Sequence, residues 1–376
     1  MPYPGIDTNA NLSTRSRIYR TLYDRGEFCS RQILARECAI SLPTLHQYLS
    51  DMFQEGLIRY SGEEKATGGR KAQGLEVVPD ARIALGVSVT GRHLRISAVD
   101  LRLKELCYRL VSFDLISHLN SADRALAGIL EHFLDDFGLA RDRLLGVGIT
   151  IPGLISPDQS RILLAPTLGI ENAPLGALIR GIPYPINVEN DGTASGHAES
   201  FVRRRQQSVA YLSLEEGIGG AVLMDGTPYS GSNARSGEFG HICVEPGGLR
   251  CACGKYGCLE AYCSSTRIEN SFGVSLEEFF QRAEAHEPDY EALLYDILRH
   301  LAIGINNIHM VLDCDIVLGG FLSEYLQPYL PALRRYVLAG NALIADADFV
   351  QLSALRHHIT SLGAALHFVR EFVYSV

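Results

Sequence analysis

No apolar run in this chain approaches the length that crosses a bilayer, and the opening MPYPGIDTNANLSTRSR has no apolar core of the kind that heads a secretory signal. The expectation is a cytoplasmic chain with no membrane partner. A reducing compartment excludes a disulfide framework, so the nine cysteines are expected to be thiols or metal ligands. There is no surplus of positive charge: 34 Lys and Arg stand against 43 Asp and Glu, a net charge of −9. That excludes a protein whose whole surface binds nucleic acid. The deficit is uneven, because residues 1–80 hold ten Lys/Arg and ten Asp/Glu and are neutral. No repeat of fixed short period runs through the chain. What is present is 376 residues, 47% hydrophobic and 20% charged, enough for two or three globular domains.

The densest chemistry lies in GEFGHICVEPGGLRCACGKYGCLEAYCS, residues 237–264. His241, Cys251, Cys253 and Cys258 crowd into it, with Gly247, Gly248, Gly254 and Gly257 between them. Glycines let the backbone fold tightly enough for one ion to gather all four. A Cys₃His set fits a closed tetrahedral Zn²⁺ site with no position left for a catalytic water, so the metal is expected to be structural. Buried inert thiols would account for Cys243 or Cys263, but not for three cysteines in eight residues. Glu238 and Glu260 frame the cluster.

Residues 1–80 read as three short helices and a hairpin. Asn11-Leu12-Ser13-Thr14 offers N-caps for the first helix, Ser30 and Ser41 can cap the second and third, Gly26 and Gly56 are stops, and Leu42, Leu45, Leu49 and Met52 form an apolar stripe on the third helix. Leu57–Tyr60 and Leu75–Val78 are the strands of the hairpin. This is the order of a winged helix-turn-helix, whose third helix enters the major groove. Its outward residues Thr44, His46, Gln47, Tyr48 and Ser50 can bond base edges or phosphates. Arg15, Arg17 and Arg20 on the first helix can meet the DNA backbone, and the wing, Lys65 with Gly69, Arg70 and Lys71, can lay an Arg on the backbone or in the minor groove. A small helical interaction domain is the plainer alternative.

Pro79-Asp80 marks a boundary. Beyond it, strands at 83–89, 93–99, 106–113 and 144–151 and a helix at 122–137 indicate an α/β sheet. Ile186–Asn190 runs into a helix over 192–204, and polar residues at such a strand end sit where α/β folds place ligands. A strand at 208–214 leads into Glu215-Glu216-Gly217-Ile218-Gly219-Gly220. Helices follow at 275–286, 290–313, 323–338 and 360–374, with a strand at 315–318. The halves 83–190 and 208–360 read as related lobes closing on a cleft.

Gly237-Glu238-Phe239-Gly240-His241 with the Cys251–Glu260 run is similar to the signature of the ROK family (repressors, open reading frames and sugar kinases). So are Glu189-Asn190-Asp191, Gly217–Gly220, Leu318-Gly319-Gly320 and Leu362–Ala365, and residues 1–80 with Thr67–Lys71 resemble the DNA-binding half of the family's repressors. The resemblance implies an N-terminal winged helix-turn-helix followed by a two-lobed, actin-like (ribonuclease H-like) sugar kinase fold. The expected units are 1–80 for DNA, 81–195 as the first lobe completed by 360–376, and 196–359 as the second lobe, carrying the zinc loop and oligomer contacts. It further implies that Asn190, Asp191, Glu238, His241 and Glu260 bond sugar hydroxyls, with His241 shared between zinc and sugar.

In the family's kinases the residue matching Asp191 is the general base. Their first phosphate loop reads Asp-x-Gly-Gly-Thr, where this chain has Ser88-Val89-Thr90-Gly91-Arg92. Their second opens Gly-Thr, where this chain has Glu215-Glu216. Carboxylates facing a triphosphate repel it, by about 4 kcal/mol per pair at ~4 Å and an effective dielectric near 20, unless they point into solvent. The expected function is therefore a sugar-responsive transcriptional repressor, a homodimer or tetramer on palindromic operator DNA, without catalysis. An ATP-dependent hexose kinase with an added DNA-binding module is the alternative, and a sugar phosphate or a phosphotransferase protein is a further class of effector.

Overall fold

The computed structural model describes residues 13–26, 29–63, 73–119, 121, 124–203, 208–229, 231–232, 235–355 and 358–376. The wing-tip candidates Lys65, Arg70 and Lys71 lie outside the described residues.

The chain opens with α1 (Thr14–Arg25), α2 (Arg31–Glu37) and α3 (Leu42–Gln54), each started by a serine hydroxyl. Ser13 accepts from Ser16 N, Ser30 from Ile33 N and Ser41 from Thr44 N, each satisfying a donor the helix leaves free. Gly26 ends α1 at φ 63° and Gly56 follows α3 at φ 70°. The hairpin pairs β1 (Ile58–Glu63) antiparallel with β2 (Gln73–Val77). One expectation is corrected here. Leu45, Leu49 and Met52 are buried, but Leu42 is 49% exposed, because as the first helical residue it projects past the core that takes the other three.

The first lobe contains β3 (Ile83–Val89), β4 (His93–Asp100), β5 (Glu105–Ser112), α4 (Leu115–Leu119), α5 (Ala125–Asp136) and β6 (Leu144–Ile151). A small antiparallel sheet comes next: β7 (Leu154–Ile155), β8 (Arg161–Ala165) and β9 (Ile170–Pro174). β10 (Ile186–Asn190) completes the main sheet, whose order is β10-β6-β3-β4-β5. β6 and β10 are parallel to β3, and β4 is antiparallel to both of its neighbours.

The helix α6 (Asp191–Arg203) leads to the second lobe: β11 (Val209–Leu214), β12 (Ile218–Met224), β13 (Thr227–Pro228), α7 (Leu259–Cys263), α8 (Ser265–Phe272), α9 (Leu276–Glu284), α10 (Pro288–Leu312), β14 (Asp315–Gly319), α11 (Leu330–Ala339) and β15 (Val350–Leu352). Its sheet order, β13-β12-β11-β14-β15, and its strand senses repeat those of the first lobe. The last helix, α12 (Ile359–Ser375), returns to the first lobe.

Between the two sheets lie α12, on the first, and α6, on the second, packed against each other. Glycine makes this possible. Gly86 of β3 and Gly148 of β6 are register partners, and a Cβ on either would sit 1.7 Å from Ser361 O or 1.8 Å from Ala364 O. The helix backbone therefore rests directly on the sheet. The other face of the second sheet is covered by α7 to α11 around a large apolar core. Among the described residues no helix is long and apolar enough to cross a membrane.

The N-terminal module is packed into the first lobe. Ile18, Tyr19, Leu22, Leu45 and Met52 share one buried cluster with Leu101, Leu366, Phe368, Val369 and Val373. Ser16 Oγ donates to the carbonyl of Val376 at 2.6 Å, and Tyr19 meets Phe372 edge to face at 6.0 Å.

Candidate functional site: the interlobe cleft and its cysteine loop

A cleft of about 570 Å³ opens between the lobes, and all five expected sugar-facing residues line it. Asn190 ends β10, where the strand passes into α6. Its Oδ1 accepts from Thr193 N at 3.0 Å and caps the helix, while its Nδ2 donates to Gly153 O at 3.0 Å and ties down the opposite rim. Asp191 is the first residue of α6, and its Oδ1 accepts from Gly192 N at 2.8 Å. Burial pushes the Asp191 carboxyl above the usual range and the charge of Glu260 adds to this, against the backbone N–H bonds that lower it.

Glu260, 9% exposed, stands in the first turn of α7. Its Oε2 accepts from Ile218 N at 3.0 Å, and its Oε1 lies 3.5 Å from Cys251 Sγ. It thus joins the glycine turn to the cysteine loop. Glu238 and His241 flank a single 3₁₀ turn, with His241 Nε2 3.9 Å from Glu238 Oε2.

The same imidazole turns its other nitrogen to the cysteines. His241 Nδ1 is 3.7 Å from Cys251 Sγ, and Cys253 Sγ is 3.8 Å from Cys258 Sγ. The four ligand atoms all lie within 4.8 Å of one another, a group that could hold a metal ion. A tetrahedron with Zn–S near 2.3 Å has edges of about 3.8 Å, so these donors fit. Glycine shapes the loop: Gly254 at φ 87° and Gly257 at φ 81° adopt the left-handed backbone that other residues avoid.

The residues matching the phosphate loops are also in the cleft: Thr90, Gly91 and Arg92 on one wall, Glu215 and Glu216 on the other. Glu215 does not turn away to solvent. Its Oε1 accepts from Thr360 Oγ1 at 3.5 Å. Burial, then the neighbouring Asp191, push its carboxyl up to about 7, with Arg95 opposing. A folded-state pKa raised above the ordinary carboxylate value means that the unfolded chain loses its proton first as pH rises. The stability this group contributes is complete at low pH and falls between about pH 4.5 and 7, by on the order of 3 kcal/mol. Urea unfolding of Glu215→Gln from pH 5 to 8 is expected to lose that slope and to be the more stable protein at pH 8. An unchanged slope would place the titration elsewhere.

Sequence reading alone did not point to His93, Arg95, Ser213 or Glu269, which complete the cleft walls. His93 and Arg95 sit on β4 with no motif around them. Only their alternation toward one sheet face carries a signal.

On the N-terminal module, Thr44, His46 and Gln47 are exposed on one side of α3, and Tyr48 and Ser50 are half-buried. Arg15 is held by Glu55 at 2.6 Å, Arg17 is half-buried, and Arg20 lies over the Tyr374 ring at 4.4 Å. The first helix is thus drawn toward the C-terminal helix on one side, while α3 keeps a free polar face.

Two like-built lobes, a helix of each between the sheets and a polar cleft at the strand ends define a protein of the actin-like sugar kinase fold, here with a winged helix in front. Residues 85–370 match the ROK family profile, and the chain belongs to that family. The DNA-binding transcriptional dual regulator NagC of Escherichia coli K12 is 28% identical over 375 residues, covering 92% of this chain and 90% of NagC. The xylose repressor of Bacillus spizizenii is 25% identical over 353 residues, covering 87% and 90%. Among solved structures, a ROK family transcriptional regulator described as a homologue of the E. coli MLC protein covers 96% of each chain, with a TM-score of 0.74 at 22% identity. A ROK hexokinase from Thermus thermophilus has a TM-score of 0.60 at 26% identity and covers 77% of this chain and 99% of its own.

Proposed function

We propose that this chain is a sugar-responsive, DNA-binding transcriptional repressor of carbohydrate genes, without kinase activity. The observation that carries the reading is one of extent. The regulator NagC is matched over 92% of this chain and the ROK hexokinase over 77%. The cleft supports the same reading from its chemistry, since Glu215 puts a carboxylate beside Asp191 where a triphosphate would need cations.

In this reading residues 1–80 bind operator DNA, 81–195 with the C-terminal helix form one lobe, and 196–359 form the other. Thr44, His46, Gln47 and Ser50 face the major groove, and Arg15, Arg17, Arg70 and Lys71 face the backbone. Asn190, Asp191, Glu238, His241 and Glu260 take the hydroxyls of a hexose-like ligand, since carboxylates and an amide accept and donate to vicinal hydroxyls together. His241, Cys251, Cys253 and Cys258 hold a structural Zn²⁺ that braces Glu260 and His241 toward the ligand. The protein acts as a homodimer or tetramer, so that two winged helices read a palindrome.

Selection of bound duplexes from random DNA, with and without glucose, N-acetylglucosamine, xylose and their phosphates, tests this. The expected result is one palindrome whose recovery changes with a single sugar. Gln47→Ala is expected to weaken that palindrome about tenfold while changing binding to random DNA little, the mark of a base contact. No enriched palindrome, or ADP release with a hexose that Asp191→Asn abolishes, would overturn the repressor reading.

A further inference from the structure

We infer that Glu215 and Thr360 form the contact through which the cleft is read by the DNA-binding module, with α12 as the rigid piece between them. The inference rests on the repressor reading above and adds the route by which its cleft would act. Glu215 belongs to the second lobe, on the turn after β11, whereas Thr360 is the second residue of α12, which is seated on the first-lobe sheet and packed along α6. Their bond, Thr360 Oγ1 donating to Glu215 Oε1 at 3.5 Å, crosses between the lobes at the limit of hydrogen-bond length, so a small lobe movement makes or breaks it. The same hydroxyl accepts from Ser195 Oγ at 3.2 Å, and Ser195 Oγ shares its one proton with the main-chain carbonyl of Asp191 at 2.8 Å. Thr360 and Ser195 are both buried, so water does not compete for the contact between them. Asp191, Ser195, Thr360 and Glu215 thus form one polar chain that starts at the cleft wall.

From Thr360 the helix runs away from the cleft for about 25 Å, at 1.5 Å for each of its 17 residues. It has no slack along the way. A Cβ on Gly363 would lie 2.2 Å from Ala194 O, and the Gly86 and Gly148 contacts seat the backbone on β3 and β6. Close-packed pieces of this kind shift as units and do not deform gradually. The far end grips α1, through Ser16 on the Val376 carbonyl, Tyr19 on Phe372 and Arg20 over Tyr374. The helix that presents the DNA-binding module is therefore the helix whose first turn touches the second lobe. Thr360 and Glu215 are positioning residues in this scheme: they act on DNA through α12.

Hydrogen exchange on the full-length protein tests the coupling without needing a ligand. Thr360→Val keeps the shape and removes the hydroxyl; Thr360→Ser restores it. Amides of residues 14–25 and 368–376 are expected to exchange about fivefold faster or more in Thr360→Val, and at the parent rate in Thr360→Ser. Glu215→Ala, on a turn at the cleft edge, is expected to reproduce the change and serves where Thr360→Val folds poorly. Parent-like exchange of both segments in Thr360→Val, or in Glu215→Ala in its place, overturns the inference. A second arm measures operator affinity with and without glucose, N-acetylglucosamine and xylose. The ratio is expected to fall to about one in Thr360→Val. A ratio that departs from one in the parent and is the same in the variant overturns the coupling and leaves the sugar reading standing. Altered exchange in the variant, with no sugar effect on the parent, supports the coupling and removes the sugar reading.

Discussion

Gly148→Ala is expected to leave no folded protein under conditions where the parent is stable. A methyl group there would lie 1.8 Å from the Ala364 carbonyl oxygen, and that oxygen belongs to the helix backbone and cannot rotate away. Relief requires lifting α12 off the sheet by more than an ångström. The lift would open the first-lobe core and part Phe368 and Val369 from the cluster that holds Leu22 and Met52. The cost exceeds the roughly 4–5 kcal/mol at the far end of point-mutant effects, against a total stability of about 5–15 kcal/mol for a domain. Circular dichroism and soluble yield measure it. Gly128→Ala is the control, because a Cβ in that turn of α5 meets nothing within 4 Å. There the higher helix propensity of alanine is expected to stabilise by up to about 1 kcal/mol. A Gly148→Ala protein melting within a few degrees of the parent would show that α12 is not seated as described.

Removing the metal is the second large effect. Cys258→Ser, or a strong chelator, is expected to take the bound zinc from one equivalent to none and to lower sugar affinity at least tenfold, with proteolysis appearing within 238–260. Within 242–257 only Val244 belongs to the second-lobe core, with Ile242 packed against it, so in the proposed reading the four-ligand cage supplies what a larger core would. Structural zinc contributes as much as about 10–16 kcal/mol to such small units. The consequence reaches the cleft because Glu260 bonds Ile218 N and touches Cys251, and because one imidazole serves both the cage and the cleft wall. Cys243→Ser, a neighbouring exposed thiol outside the quartet, is expected to keep the metal. Elemental analysis and calorimetry with the sugar panel check both arms. Unchanged sugar affinity after loss of zinc would remove the bracing role.

Much of the architecture was legible because it is written locally. Ser30 and Ser41 each precede a run with helical spacing and cap a helix, and of the candidates at 11–14 it is Ser13 that caps the first. The strands at 83–89 and 144–151 are continuous apolar runs and form as read. Expectation and structure part where context overrides pattern. The helix expected over 323–338 is a 3₁₀ segment at Phe321–Tyr325, a second short turn, and then α11 from Leu330, because Pro328 and Pro331 suit first-turn positions and interrupt a continuous helix. The small sheet β7 to β9 was not anticipated, since strands of two to five residues carry too little period to detect and are held by their neighbours.

The candidate site divides in the same way. The cysteine spacing within 237–264 identified the metal-ligand group, since ligands close in sequence need only a tight turn to meet. The carboxylates beside them were legible through family resemblance.

By itself, then, the sequence determined the first three helices, the strands at 83–89 and 144–151 and the grouping of His241 with the three cysteines, which depend on residues close in the chain, and the family, through several such short motifs. Only the tertiary structure decided that Glu215 faces the cleft, that His93 and Arg95 join its wall, and that Ser16 meets Val376 across 360 residues of chain. Those contacts have no local signal. They arise because two sheets and two helices must bury their apolar faces together, and that shared burial brings distant polar groups to the same place.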